Sequence, residues 1–436
     1  MLIDTRSLDA GCESILLNKV KMAVVGGADD FQEEMSYEFA NMKATSNTVD
    51  ELAQGRLPEE MSRPNTTSRS GFMEAAGCGI QIITTADMAL RMGLPIYGIV
   101  AYTQMAGDRI GRSVPAPGQG VLTAAREARE SMASSTSLLD IAHRRTQFEA
   151  AVKRIHEEHT GLLRSVKHNP VDLERQLREI DTLTECQIRD AQSLWGMELR
   201  RQQPDMAPLR AALAVWGLGV EDIQVATLHG TSTPANDVNE ASVINAQMKQ
   251  LGRSRGNPLL CVSQKHLTGH PKGAAGAWML NGGLQVLQSG LVPGNRNADN
   301  IDNRLRDYEH LVYPSTRVEM RRVKAFMLTS FGFGQKGGLA LVIAPRYVFA
   351  AWTRETYDRY RGAVLLRQQK GDQALVSGMM HKSLFRAKGS SAWRKEDETT
   401  VFLDPLARVV PNSSGEYGFD RNLHPESSSS SSVLGL

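Results

Sequence analysis

Gln224-Val225-Ala226-Thr227-Leu228-His229-Gly230-Thr231-Ser232-Thr233-Pro234-Ala235-Asn236-Asp237 starts as a buried-looking strand and breaks into a turn-rich segment. The same design recurs downstream. Leu259 to Ser263 reads as a second strand, and Lys265-His266-Leu267-Thr268-Gly269-His270-Pro271-Lys272-Gly273-Ala274-Ala275-Gly276 follows it. Short apolar runs bounded by Gly, Ser and Thr suit strands covered on both faces. Each strand delivers a histidine at or just beyond its carboxyl end, where open α/β sheets place their ligand crevices. Two imidazoles and the Lys265 ammonium on neighbouring strand ends can stabilise a developing oxyanion. A single histidine in such a place would read as a surface or satisfied core residue. The pair carries the argument.

His-Gly-Thr-Ser-Thr-Pro at 229–234 and Lys-x-x-x-Gly-His-x-x-Gly-Ala-Ala-Gly at 265–276 resemble the two histidine motifs of β-ketoacyl synthases. The wording is most similar to the synthase domain of the fungal type I fatty acid synthase α subunit. The similarity covers residues 5–350 and continues weakly to 410. It implies a thiolase-like, layered α/β/α/β/α fold whose amino-terminal part is missing, interrupted by a charged helical segment. It also implies a decarboxylative Claisen condensation of acyl and malonyl thioesters in fatty acid biosynthesis. His229 and His270 would donate hydrogen bonds to the malonyl thioester oxygen, and Lys265 would orient the surroundings of the second histidine. Phe331-Gly332-Phe333-Gly334 resembles the family's Phe-Gly-Phe-Gly turn. There Phe333, between Gly332 and Gly334, would gate the acyl pocket and lend its N–H to the oxyanion hole; taken alone, the two phenylalanines are hairpin packing. Met61-Ser62-Arg63-Pro64 through Arg69-Ser70-Gly71-Phe72 resembles a family segment beside the active site, although alone it is a Pro/Thr/Ser loop.

The nucleophilic cysteine of the family has no counterpart in the matched segments, and its place falls at or before residue 1. Cys12 keeps step with Leu8, Ile15 and Leu16 on a helix face, so it reads as packing; Cys78, Cys186 and Cys261 have no elbow around them. The resemblance implies acyl carrier protein bearing acyl or malonyl phosphopantetheine as partner, a homodimer, and fatty acid synthase α and β subunits. No cofactor is expected. The alternative reading is a non-catalytic structural or dimerisation fragment of a fatty acid synthase α subunit. A polyketide synthase or thiolase fits less well, because a thiolase needs a second cysteine near its glycine-rich turns.

The rest of the chain supports α/β layering. Helices are expected over 7–18 and 85–92, with Gly93 and Pro95 as stop signals, and over 209–216. Strands are expected over 22–25, closed by Gly26-Gly27, over 79–84, and over 96–101; those over 325–330 and 339–343 would pair as an antiparallel hairpin. The polar stretch 29–48 reads as loop and short helix, and 113–120 as a turn-rich loop. Asp237-Val238-Asn239-Glu240 fits a capping box, so Asp237 reads as a helix cap. Gly273-Ala274-Ala275-Gly276 would let its helix pack closely on the sheet. Residues 126–201 are charged and helical in period, and the resemblance implies an assembly element there. The organisation expected is a synthase domain over 1–350 containing that insertion, a post-synthase segment over 351–410, and a disordered tail over 411–436.

Composition excludes several classes. A formal charge of +2 over 436 residues sets up no strong field for nucleic acid or anionic membranes. Four scattered cysteines without CxxC spacing indicate neither a zinc site nor a disulfide framework. No apolar run is long enough to span a bilayer and no secretory signal opens the chain, so a cytoplasmic protein is expected.

Overall fold

The computed structural model describes residues 3–108, 118–125, 141–166, 173–195, 206–384, 409–411 and 417–419. The chain divides into two compact units, 1–364 and 365–436. The strands are β1 (Met22–Asp29), β2 (Gly77–Thr84), β3 (Ile99–Gly107), β4 (Ile223–Thr227), β5 (Leu259–Val262), β6 (Leu291–Val292), β7 (Leu311–Val312), β8 (Val318–Glu319), β9 (Ala325–Gly332), β10 (Lys336–Ile343), β11 (Val409–Pro411) and β12 (Tyr417–Phe419). The helices that matter for the site are α1 (Ile3–Leu16), α2 (Glu33–Asn41), α3 (Thr48–Ala53), α4 (Ala86–Met92), α5 (Gln119–Ala125), α6 (Ile141–Ser165), α7 (Leu173–Trp195), α8 (Pro208–Ala214), α9 (Pro234–Gln250), α10 (Lys265–Thr268) and α11 (Ala275–Ser289).

The main sheet of the first unit has six strands in the order β3-β10-β9-β4-β5-β7. β4 lies parallel to β5 and β9, β5 lies parallel to β7, and β10 runs antiparallel to β9 and β3. Period-two alternation sorts its side chains into two cores. Met327, Phe331, Leu339, Leu341 and Ile343 join Leu213 of α8 and Ile244 and Met248 of α9 on one face. Phe326, Leu328, Ala340 and Val342 meet Leu8 of α1 and Met279, Leu280 and Val286 of α11 on the other. Each such large side chain, fully buried, contributes about 1.5–3 kcal/mol, so both faces of this sheet must be covered.

Beyond α1 and α11 lies a second sheet, β1 paired antiparallel with β2. The layers therefore run helix, sheet, helix, sheet. Val25, Ala23 and Ile83 face inward, while Val24, Ile80 and Ile82 point away and are exposed. β1 does not stop at Gly26-Gly27 but continues through them to Asp29, because a Gly26 φ of 150° lets the backbone pass close against Gly79. Helix α11 makes its close approach to the six-stranded sheet at Gly283, where a β-carbon would collide with the Phe326 ring. Gly273 instead abuts Ala28 and Asp29 at the end of β1.

Other boundaries shift by a few residues. α1 spans Ile3–Leu16, β3 starts at Ile99 rather than 96, and Thr85 is the N-cap of α4, accepting from the Met88 N–H. Gly93 ends α4 in the left-handed region at φ 60°. The 113–120 loop lies mostly outside the described residues. The charged segment holds α6 and α7, which pack together. Arg144 of α6 is fully buried, donates to the carbonyls of Ala214 and Leu194, and lies 5.7 Å from the Trp195 ring centre. In the second unit, β11 pairs with β12. The tail expected to lack structure from 411 onward thus contains a strand, since Val409-Val410 and Tyr417 flank a Pro-Asn-Ser-Ser-Gly run that suits a hairpin. Residues 420–436 lie outside the described set. No described helix is long and apolar enough to cross a membrane.

Candidate active site

β4 and β5 are parallel neighbours, so their carboxyl ends open at the same edge of the sheet. His229 follows β4 by two residues, and Lys265 opens α10 three residues past β5. His270 comes from the turn between α10 and α11. The two imidazoles meet edge to face, with ring centres 5.2 Å apart and an interplanar angle of 83°. Both histidines are buried, at 3% and 1% exposure.

The first histidine turn is held from below. Glu240 of α9 is buried, and its carboxylate accepts from the His229 N–H at 2.6 Å, the Gly230 N–H at 2.9 Å and the Thr329 hydroxyl at 2.6 Å. Two left-handed residues, Gly230 (φ 43°) and Ser232 (φ 65°), bend the chain back over it. Lys265 Nζ lies 3.4 Å from His229 Nδ1, donates to the His229 carbonyl, and touches Met279 Sδ at 3.3 Å. An ammonium can only donate, so Nδ1 is the acceptor and the ring hydrogen sits on Nε2. Burial and then the Lys265 charge hold the His229 imidazole well below its ordinary pKa.

The second histidine turn is held by backbone. His270 N–H donates to Met73 O at 2.7 Å, and Ala75 N–H donates to His270 O at 3.3 Å, which makes Glu74 and His270 a short parallel bridge. Phe72 stands edge-on to the His270 ring at 5.1 Å. Both ring nitrogens of His270 are buried without a hydrogen-bond partner. Burial, followed by the Lys265 charge, again keeps the imidazole neutral. A neutral imidazole still donates from one nitrogen, so the pair can present two N–H groups to one oxygen without burying a net charge of their own.

Two sequence expectations, the Asp237 cap and the Phe331–Gly334 turn, need correction. Asp237 is not the cap of α9. Thr233 is the N-cap and Pro234 the first helical residue, because proline's fixed φ favours that position. Asp237 sits one turn in, fully buried, accepting from the Asn65 N–H at 2.8 Å beside Arg69. Lys265 Nζ reaches across from β5 to the adjacent end of β4 and the first histidine, and its charge acts on the second as well. The expected Phe331–Gly334 turn is shorter: Phe331 and Gly332 belong to β9, and Gly334 (φ 82°) with Gln335 (φ 61°) makes the reversal. Phe331 is the one beside His229, at 6.2 Å, whereas Phe333 packs on Phe39 at 5.9 Å.

The 61–72 segment stitches the two turns together. Ser62 donates to Lys265 O, Arg63 N–H to Ser232 Oγ, and Asn65 Nδ2 to Ser263 Oγ at 2.6 Å. Its Arg and Pro residues were visible in the sequence, but its partners were not. Glu240 escapes the sequence reading because its spacing to Asp237 fits helix capping. The cysteines stay apart from the pair: none hydrogen-bonds to either imidazole. Burial and Asp9 push the Cys12 thiol up to about 11, and burial pushes Cys261 higher still.

Residues 189–299, which hold His229, Lys265 and His270, match the family described as β-ketoacyl synthase, C-terminal domain. The fatty acid synthase subunit alpha of Aspergillus oryzae is 56% identical over 97% of this chain and 24% of its own length. The chain is a relative of the fungal fatty acid synthase α subunits. The α subunit of Saccharomyces cerevisiae is 51% identical over 92% of the chain, and the Monascus ruber fatty acid synthase alpha subunit pigJ 55% over 92%. The chain spans less than a quarter of the length of these curated relatives. Among solved structures, the ketosynthase FabY of P. aeruginosa superposes with a TM-score of 0.56 at 18% identity, over 84% of this chain and 47% of that one. A type II polyketide ketosynthase in complex with its acyl-carrier protein gives a TM-score of 0.50 at 17% identity, over 78% and 60%. These likenesses place the fold among the thiolase-like ketosynthases, in accord with the layered sheets.

Proposed function

We propose that the site acts in fatty acid biosynthesis as the malonyl half of a 3-oxoacyl-[acyl-carrier-protein] synthase. The observation that supports it best is the His270 ring, whose two nitrogens are buried and unpartnered 5.2 Å from His229. An unmet buried hydrogen bond costs about 1–3 kcal/mol, so a group kept in that state suits an oxygen brought by substrate. Loss of carbon dioxide from a malonyl thioester moves the C–CO2 electron pair into an enolate, and the negative charge settles on the thioester oxygen. Nε2–H of His229 and one ring N–H of His270 would receive that charge. Phe331 and Phe72, packed against the two rings, keep water from competing for the same donors.

The partner in this reading is an acyl carrier protein that delivers the malonyl thioester on phosphopantetheine, within an assembly of fatty acid synthase α and β subunits. The exposed Val24, Ile80 and Ile82 on the outer face of β1 and β2 suit association of two copies. A structural fragment without chemistry is the second reading, favoured by the high thiol pKa of Cys12 and the burial of Cys261. Carbon dioxide release from malonyl thioester separates the two. His229→Ala and His270→Ala should each lower it about 10²- to 10³-fold, as loss of one oxyanion donor does elsewhere, with the fold intact. Release at the wild-type rate from either variant would overturn the assignment.

A further inference from the structure

Behind the second histidine lies a buried ion pair that the reaction chemistry above does not use. Lys272, two residues past His270, is 2% exposed, and its Nζ lies 3.1 Å from Glu74 Oε1 and 3.3 Å from the Asp30 carbonyl. The same ammonium sits 5.9 and 6.0 Å from the ring centres of Phe31 and Phe39. Glu74 is the residue whose backbone bridges His270, and its neighbour in face, Phe72, touches the His270 ring. Lys272 also carries a φ of 35°, unusual for a residue with a β-carbon, which the chain keeps only where surrounding contacts hold it.

His270 lacks what usually aims a working imidazole, namely a hydrogen bond on its second nitrogen. Its ring is positioned by where its own backbone sits and by the two rings it packs against. We propose that Lys272 and Glu74 are positioning residues for His270: their ion pair clamps the 72–75 strip to the 270–272 turn and so fixes the direction of the imidazole. The clamp has two parts, the backbone bridge at 270 and the side-chain pair at 74 and 272, and one ion pair closes the loop between them. Gly273 N–H, donating to Asp29 Oδ2 at 2.8 Å, holds the far side of the turn. The charged and titratable groups around His270 are Lys265 from α10, His229 from the end of β4, Lys272 from its own turn and Glu74 from the strip. The two lysines oppose its protonation.

This inference rests on the malonyl reading for its kinetic effect and stands apart from it for its structural one, so both are measured. The test uses the full chain carrying Lys272→Met, Glu74→Gln or Lys272→Arg, each characterised by thermal unfolding, malonyl-thioester decarboxylation and NMR of 15N-labelled imidazoles. The expected result for the first two is a loss in kcat of about 10- to 100-fold, the size seen when residues that orient metal-ligating histidines are removed, with KM unchanged. Lys272→Arg, which keeps the charge and the pair, should recover most of the rate. In the folded Met and Gln variants the His270 ring signals should leave their wild-type positions and broaden, while those of His229 stay. If wild type releases no carbon dioxide, the malonyl reading fails while the shift of His270 alone still supports the clamp. If His270 signals match wild type in folded Lys272→Met and Glu74→Gln, the clamp is overturned, whatever the rates.

Discussion

The two histidine turns look alike in sequence, each a strand followed by small and polar residues, yet they are built on different physics. The turn at His229 is held mainly by side chains: Glu240 gathers two backbone N–H groups and a hydroxyl under it, and Lys265 donates to the His229 carbonyl and sets the tautomer. The turn at His270 is fixed by backbone pairing to residues 73–75 and by an edge-on ring, and its ring nitrogens are left without partners. The first arrangement concentrates the cost of failure in one carboxylate. The second spreads it over a strip, which leaves the imidazole free to take a ligand but dependent on its scaffold.

Glu240 gives the sharpest way to break this contrast. Glu240→Ala strands three buried donors, each worth about 1–3 kcal/mol, so it should lower unfolding stability by at least about 3 kcal/mol while Glu74→Gln costs less. A loss under about 1 kcal/mol would show that the first turn is not held from below. The same carboxylate makes a pH test. Burial pushes its pKa from 4.5 up to about 7, so the folded state holds the proton more tightly than the unfolded chain. The resulting stabilisation is complete below pH 4.5 and disappears as pH rises through about 7. His229 and His270, held below their ordinary value, slope the other way, favouring the fold as pH rises toward 6.5. Subtracting Glu240→Gln from wild type cancels the histidines. The stability difference should then shrink between pH 4.5 and 7 by an amount on the order of 3 kcal/mol. A difference that grew with pH would mean the carboxylate is stabilised as the anion.

The strand-histidine pairs were legible because they are local: a buried strand, a break and a histidine need only a few consecutive residues to be read. Parallel pairing of β4 with β5 then brings the rings together without further information. What stayed hidden depends on separations the eye cannot span. Asn65 reaches Ser263 across 198 positions, and Lys272 finds Glu74 across 198 as well. The capping-box pattern misplaces Asp237 because a proline three residues earlier starts the helix sooner. Strand alternation carried through to Phe331 turns that ring toward the core beside His229, which the boundary expected at Ser330 hides. The exposed Val24, Ile80 and Ile82 were read only as strand residues, since alternation tells which side a residue takes but not what covers it.

The smallest effect expected is also the most direct comparison of the two turns. Each histidine has a left-handed glycine next to it, Gly230 at φ 43° and Gly269 at φ 66°. A β-carbon is strained at either position, and more so at Gly269, whose ψ of −170° lies in a region that almost only glycine adopts. The two positions also differ in what the new carbon meets: at 230 it is Ser263 Oγ at 2.9 Å, and at 269 it is Ala75 Cβ at 3.0 Å and Met73 O at 3.2 Å. Rotating Ser263 Oγ away, at the cost of its bond to Asn65, relieves the closest contact, while Ser263 Cβ at 3.0 Å must give by a few tenths of an ångström without touching a histidine backbone. The second turn meets the very strip that carries His270, and cannot yield without moving the histidine. Gly269→Ala should therefore lower decarboxylation more than Gly230→Ala at equal loss of stability. Equal rates in the two variants would mean that the strip at 73–75 follows His270 rather than holding it.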